Sequence, residues 1–217
     1  MNAKEESMTR FGSLMLCATL TSALLACGGN NTSTQDPVEL VPLDNDVSGW
    51  TVDQAHNKTP GQRAMIGLTY DEVTALIDGG VGDFYFGSYT PKAFLWQNYI
   101  NSSLPAFPPE NGAVVSLYIL QMPSAAQATG LYTDILQFSD HKDTGGAGTP
   151  WQDPSTPLVG TGSRMKDTSR QWWINFHQDV YYIEVLLGPS EPAPDYTPSD
   201  ATKQETFSFA QAIARKI

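Results

Sequence analysis

The chain has 217 residues and carries 23 Asp and Glu side chains against 12 Lys and Arg, a formal net charge of −11. Nucleic acid is excluded as a natural partner, because that binding depends on Lys and Arg neutralising phosphates, and an anionic membrane face repels such a surface. Two cysteines (Cys17, Cys27) and three histidines (His56, His141, His177) leave no basis for a disulfide framework or a local zinc motif.

In chain order, Met8-Thr9-Arg10 is a short basic start, Phe11 to Ala23 an apolar centre of signal-peptide length, and Leu24-Leu25-Ala26-Cys27 a small-residue cleavage site. The apolar run is shorter than the roughly 20 residues a bilayer crossing needs. Glu5 and Glu6 offset Lys4 and Arg10, which favours Met8 as the translation start. On these residues the chain resembles bacterial lipoproteins, with Leu24 to Cys27 standing where their lipobox stands. The resemblance implies that residues 1–26 are removed as a signal peptide. The Cys27 sulfur then takes a diacylglycerol and the new amino group a further acyl chain. Each buried methylene contributes about 0.8 kcal/mol, and two or three chains make a durable anchor where one does not. Cleavage takes two basic and two acidic side chains with it, so the charge stays at −11. Gly28, in place of the aspartate that retains lipoproteins on the inner membrane, favours the outer membrane, facing the periplasm or the cell surface. Residues 27–40 read as a flexible tether, and 41–217 as a single domain large enough for a real core.

Within the domain, Gly49-Trp50 should pin the entrance by burying an indole. Thr69-x-x-Glu72 is a capping box, followed by Val73, Leu76, Ile77, Val81, Phe84 and Tyr85 on one helical face. Gly79, Gly80 and Gly82 predict a break or kink, since each costs about 1 kcal/mol against Ala inside a helix. Lys92–Ile100 and Ala113–Gln121 read as strands joined across a Pro-rich connection that could not continue a central strand. Ser124–Phe138 reads as a helix, and Ser139–Pro157 as a long loop of functional or insertion type. Leu158–Lys166, Gln171–His177 and Val180–Leu187 are strands, the last two a hairpin turning at Gln178-Asp179. Ser199–Lys216 is a closing helix. The expectation is an α+β fold, an antiparallel sheet of about five strands with helices on one or both faces, in the order αββαβββα.

From Val41 onward the chain also resembles bacterial secreted and lipoprotein domains of unknown function. Pro42, the Gly49-Trp50 pair, the helix from Tyr70-Asp71-Glu72 to Ile77-Asp78-Gly79-Gly80, the stretch Tyr118 to Ala126 and the strand Val180 to Val185 carry the likeness. That helix usually reads Tyr-Ile-Asn-Gly-Gly-Ala-Glu. Here Asp78, Val81 and Gly82 replace its Asn, Ala and Glu. The resemblance implies no known activity.

Chemistry-bearing patterns are few. Asp44-x-Asp46-x-Ser48-Gly49 has the spacing of the first half of a calcium loop, but position twelve is Ala55 and the bidentate Glu is missing. Ser163 lacks the glycine pattern of a nucleophile elbow. No metal and no cofactor is expected. Trp151 in the long loop is the candidate exposed contact, with Asp78 and His177 as polar candidates for the same binding role. The expectation is a membrane-anchored envelope lipoprotein, a non-enzymatic module binding an envelope protein or a small ligand. The alternative is an envelope hydrolase using Asp and His residues gathered by folding.

Overall fold

The computed structural model describes residues 35–56, 63–77, 79–104, 112–137, 141, 150–168, 171–189 and 199–217. The chain from Thr34 to Ile217 clusters as one unit. Its elements are α1 (Pro37–Leu40), β1 (Thr51–Val52), β2 (Met65–Gly67), α2 (Tyr70–Thr74), α3 (Gly79–Ser88), β3 (Ala93–Asn101), β4 (Ala113–Gln121), α4 (Ala125–Asp134) with a 3-10 turn (Ile135–Gln137), β5 (Gly162–Asp167), β6 (Trp172–Gln178), β7 (Tyr181–Pro189) and α5 (Asp200–Ala214).

The strands form one antiparallel sheet in the order β1-β3-β4-β7-β6-β5, with β2 also on β3. The α+β expectation holds, but the strand count and the element order αββαβββα do not. Seven strands stand among the described residues instead of about five, because β3 is long enough to pair β1 at Tyr99–Ile100 and β2 at Phe94–Trp96. Strands of two and three residues carry no period of their own and exist only as partners of β3. Residues 37–40, expected as tether, also enter the fold: α1 is capped by Asp36, has proline in its first turn, and buries Leu40 completely.

Both faces of the sheet are covered, and period-2 alternation assigns each side chain to one of them. On one face Leu95, Tyr99, Val115, Leu117, Ile119, Ile174, Phe176, Ile183 and Val185 pack against Phe207, Phe209, Ala210 and Ile213 of α5. Trp50 belongs to this core as expected. Its indole Nε1 donates to Glu205 Oε2 at 2.9 Å and its ring meets Phe209 edge-on at 5.2 Å. Gly49 precedes it at φ 81, a conformation glycine adopts without strain. On the other face Phe94, Leu120 and Tyr182 pack against Tyr85 of α3 and Ala128, Leu131 and Tyr132 of α4.

Local signals behave as local physics requires. The Thr69/Glu72 capping box forms, with Thr69 Oγ1 accepting from Glu72 N and Glu72 Oε2 accepting from Thr69 N. The helix breaks between Thr74 and Gly79, but Gly79, Gly80 and Gly82 lie inside α3, against the expectation that the break falls on them. The β6–β7 hairpin turns through Asp179 at φ 49. Gly160 is held at φ 62, and an added Cβ would lie 2.7 Å from the His177 carbonyl oxygen. Gly160→Ala should therefore lower stability by about 2 kcal/mol or more. Phe209→Ala should cost about 3–5 kcal/mol. Both are read as lower urea midpoints with unchanged slope.

Candidate functional site

The face under α3 and α4 differs chemically from the α5 face. Strand register aligns Trp96, Tyr118, Glu184, Asn175 and Arg164 in a single row across β3, β4, β7, β6 and β5. Three of these five can carry charge or a carboxamide, and all three are buried. Polar groups withdrawn from water on this scale persist only when bonded to one another.

Glu184 is the centre. Its Oε1 accepts from Tyr182 Oη at 2.7 Å and Tyr85 Oη at 2.9 Å, and lies 3.1 Å from His141 Nε2. Its Oε2 accepts from Trp173 Nε1 at 3.1 Å. Burial alone pushes this carboxyl up. The attraction of His141 and the bonds from His141, Tyr182 and Tyr85 outweigh it, so the net shift is below the ordinary value of 4.5. The tyrosines respond in the opposite sense: burial first, then the Glu184 charge, raise Tyr85 and Tyr182 well above 10.0.

Arg164 is the second buried charge, 1% exposed. Its Nε donates to Asn175 Oδ1 at 2.8 Å and its Nη2 to the Tyr132 carbonyl, while Nη1 stands 3.9 Å from Asp153. The guanidinium lies 4.0 Å from the Tyr132 ring and 5.5 Å from Trp151. Beside it, Lys166 Nζ lies 4.6 Å from the Trp151 ring and 5.0 Å from Trp173. Tyr132, Arg164, Trp151, Lys166 and Trp173 thus alternate aromatic and cation, an arrangement worth more once desolvated.

Of the candidates read from sequence, Trp151 and His177 come onto this same face. Trp151, expected as an exposed contact in the long loop, is only partly exposed. The indole is half-buried, its Nε1 donates to His141 O at 2.6 Å, and its ring sits 5.6 Å from Trp173. It roofs the two cations because they offer positive charge to its π-face. His177 is buried, not a surface group: Nδ1 lies 3.4 Å from Thr129 Oγ1 and the ring 4.9 Å from Tyr132. Burial, then the Arg164 charge, lowers its pKa below 6.5. Asp78 lies outside the described residues. The calcium half-loop is spent on its own backbone: Asp44 accepts from Val52 N, and Asp46 from Leu43 N and Lys216 Nζ. Among the described residues no His, Cys, Asp and Glu cluster could hold a metal. Ser163 is a β5 residue whose Oγ accepts from Val159 N and lies 2.6 Å from Ser155 Oγ, tying down the preceding loop. Glu184, Arg164, Asn175 and Tyr132 were missed. The available signal was a charge alternating with apolar residues in the middle of strands too hydrophobic to be half-exposed.

No family model matches the chain, and no curated protein matches it. Among solved structures it is similar to the extracellular domain of PknH from Mycobacterium tuberculosis, at 10% identity and a TM-score of 0.38, over 76% of this chain and 82% of that one. A likeness this loose bears on neither family nor function.

Glu184 contributes stability that is fully present above its unfolded pKa and is lost as pH falls through its lower folded value. Acid unfolding of the wild type should therefore steepen below pH 4.5. Glu184→Gln removes that limb and costs about 3–5 kcal/mol near neutrality, because its donors lose a charged acceptor. Denaturant titrations across pH 3–7, a span set around carboxylate titration, check both.

Proposed function

We propose that this chain is a lipid-anchored envelope protein, held by acyl chains on Cys27, whose folded part is a non-enzymatic binding module. The observation that carries the reading is the position of the lipobox-like Leu24 to Cys27: the compact unit begins at Thr34, only seven positions beyond the cysteine. A thiol placed just outside a domain suits an anchor, and two or more chains there hold durably. The −11 charge suits a soluble envelope domain that does not bind nucleic acid. Gly28 favours the outer membrane, and no helix among the described residues is long and apolar enough to cross a bilayer.

Binding is favoured over the hydrolase alternative by the way the buried polar groups are used. Glu184 accepts from two tyrosines and a tryptophan and pairs with His141, so its carboxylate is occupied in holding the fold. His177 faces Tyr132 and Thr129. On this face the half-buried Trp151 roof is an amphipathic ring with cations behind it, a surface of the kind that anchors a partner or small ligand.

Metabolic labelling with a clickable palmitate should mark the mature wild-type chain and leave Cys27→Ser unmarked, and the variant should leave the membrane fraction. Labelling that is equal in both would refute the anchor. A photo-crosslinking residue at position 151 should capture an envelope component in intact cells, and one at the α5 position Ser208 should not.

A further inference from the structure

The end of the sheet from which the chain leaves is marked by Gln35, whose carbonyl accepts from Tyr181 Oη at the start of β7. Register gathers several termini there. Ala93 at the start of β3 pairs Gln121 at the end of β4, Gln121 pairs Tyr181, and Tyr181 pairs Gln178 at the end of β6. The C-terminus of α5 joins them, with Gln178 Nε2 donating to Ala214 O. Two of the most exposed large apolar side chains flank this end. β2 finishes at Gly67 opposite Phe94, which places the following Leu68, 61% exposed, level with the start of β3. On the other flank, Val159 N bonds Ser163 Oγ and Thr161 N bonds His177 O, holding Leu158, 56% exposed, beside the end of β6. Lys92, Arg215 and Lys216 lie at the same end, but Asp36, Asp179, Asp71 and Glu72 do too, and Lys216 already pairs with Asp46.

We propose that this sheet end is the membrane-contacting surface of the protein, with Leu68 and Leu158 entering the headgroup layer on either side of the tether exit. The inference rests on the anchoring of Cys27. Eight residue steps separate Cys27 from Gln35, and no conformation stretches them beyond about 28 Å. The bilayer therefore stays within a domain's width of the exit. The end that carries the exit meets it at the least cost in chain extension. Exposed leucines gain by leaving water, and long Lys and Arg side chains can keep their charge at the phosphate level while their stems stay apolar. With the acids counted, the end has no excess positive charge. On zwitterionic bilayers the contact is therefore apolar and insensitive to salt.

The test uses the lipidated full-length protein reconstituted in phosphatidylcholine vesicles, with a single environment-sensitive fluorophore attached in turn through Leu68→Cys, Leu158→Cys, Ile100→Cys or Asp200→Cys. The last two positions are exposed at the opposite end of the sheet, where β1 pairs Ile100 and α5 begins. Probes at 68 and 158 should shift to the blue and lose emission to brominated acyl chains, unchanged in high salt. Probes at 100 and 200 should do neither. Equal signals at all four positions, or quenching at 100 and 200 alone, overturn the orientation while leaving the anchor standing. Failure of the wild-type chain to float with the vesicles overturns the anchor, and the orientation with it. Quenching that disappears with added salt overturns the apolar basis of the contact.

Discussion

A single buried carboxylate, that of Glu184, gathers donors from separate parts of this structure. Its donors come from α3, β6, β7 and the segment at His141. Replacing such a cluster by well-packed apolar groups can be neutral in stability, so its contribution is better sought in specificity. A helix or loop that slides away from Glu184 leaves a buried charge without its donors, whereas an apolar contact that slips loses only area. The position of Trp151 follows from this. Its indole bonds the His141 carbonyl, and His141 is held by Glu184, so the roof over Arg164 and Lys166 is suspended from the same oxygen atoms.

The two sheet faces divide the work. The face under α5 is apolar and closes around Trp50, Phe207 and Phe209, with one indole bond to Glu205 at its margin. The face under α3 and α4 carries tyrosines, tryptophans and the buried side chains of Glu184, Arg164, Lys166 and His177. The first supplies the non-directional stability that burial of area gives. The second is directional, since each of its groups requires a partner at one distance and angle. The proposed binding role rests on the second face.

Charge is arranged with similar economy. Although the chain is strongly acidic, Arg164 and Lys166 are drawn inside against aromatic rings, and Lys216 and Arg63 are paired with Asp46 and Glu39. With Arg164 and Lys166 buried against one buried carboxylate, Glu184, what solvent meets is slightly more acidic than composition alone suggests, which opposes close approach of an anionic surface.

Those features of the chain that depend on neighbours in sequence were legible without the fold. The strand Ala113–Gln121 has the predicted bounds, the β6–β7 hairpin forms with its turn one residue beyond the expected place, at Asp179-Val180, and the Thr69/Glu72 capping box forms, because period, turn chemistry and capping act within a few residues. Trp50 was readable as buried, since so large an apolar ring beside a turn glycine has few other uses. Strands β1 and β2 were not readable, because two and three residues have no period and are defined by β3. The roles of Glu184, Arg164 and Trp151 were decided by tertiary structure alone. Tyr85 lies 99 positions from Glu184 and Tyr132 lies 32 from Arg164. Whether a charge is paired or stranded depends on which strands and helices meet, and no local pattern encodes that meeting.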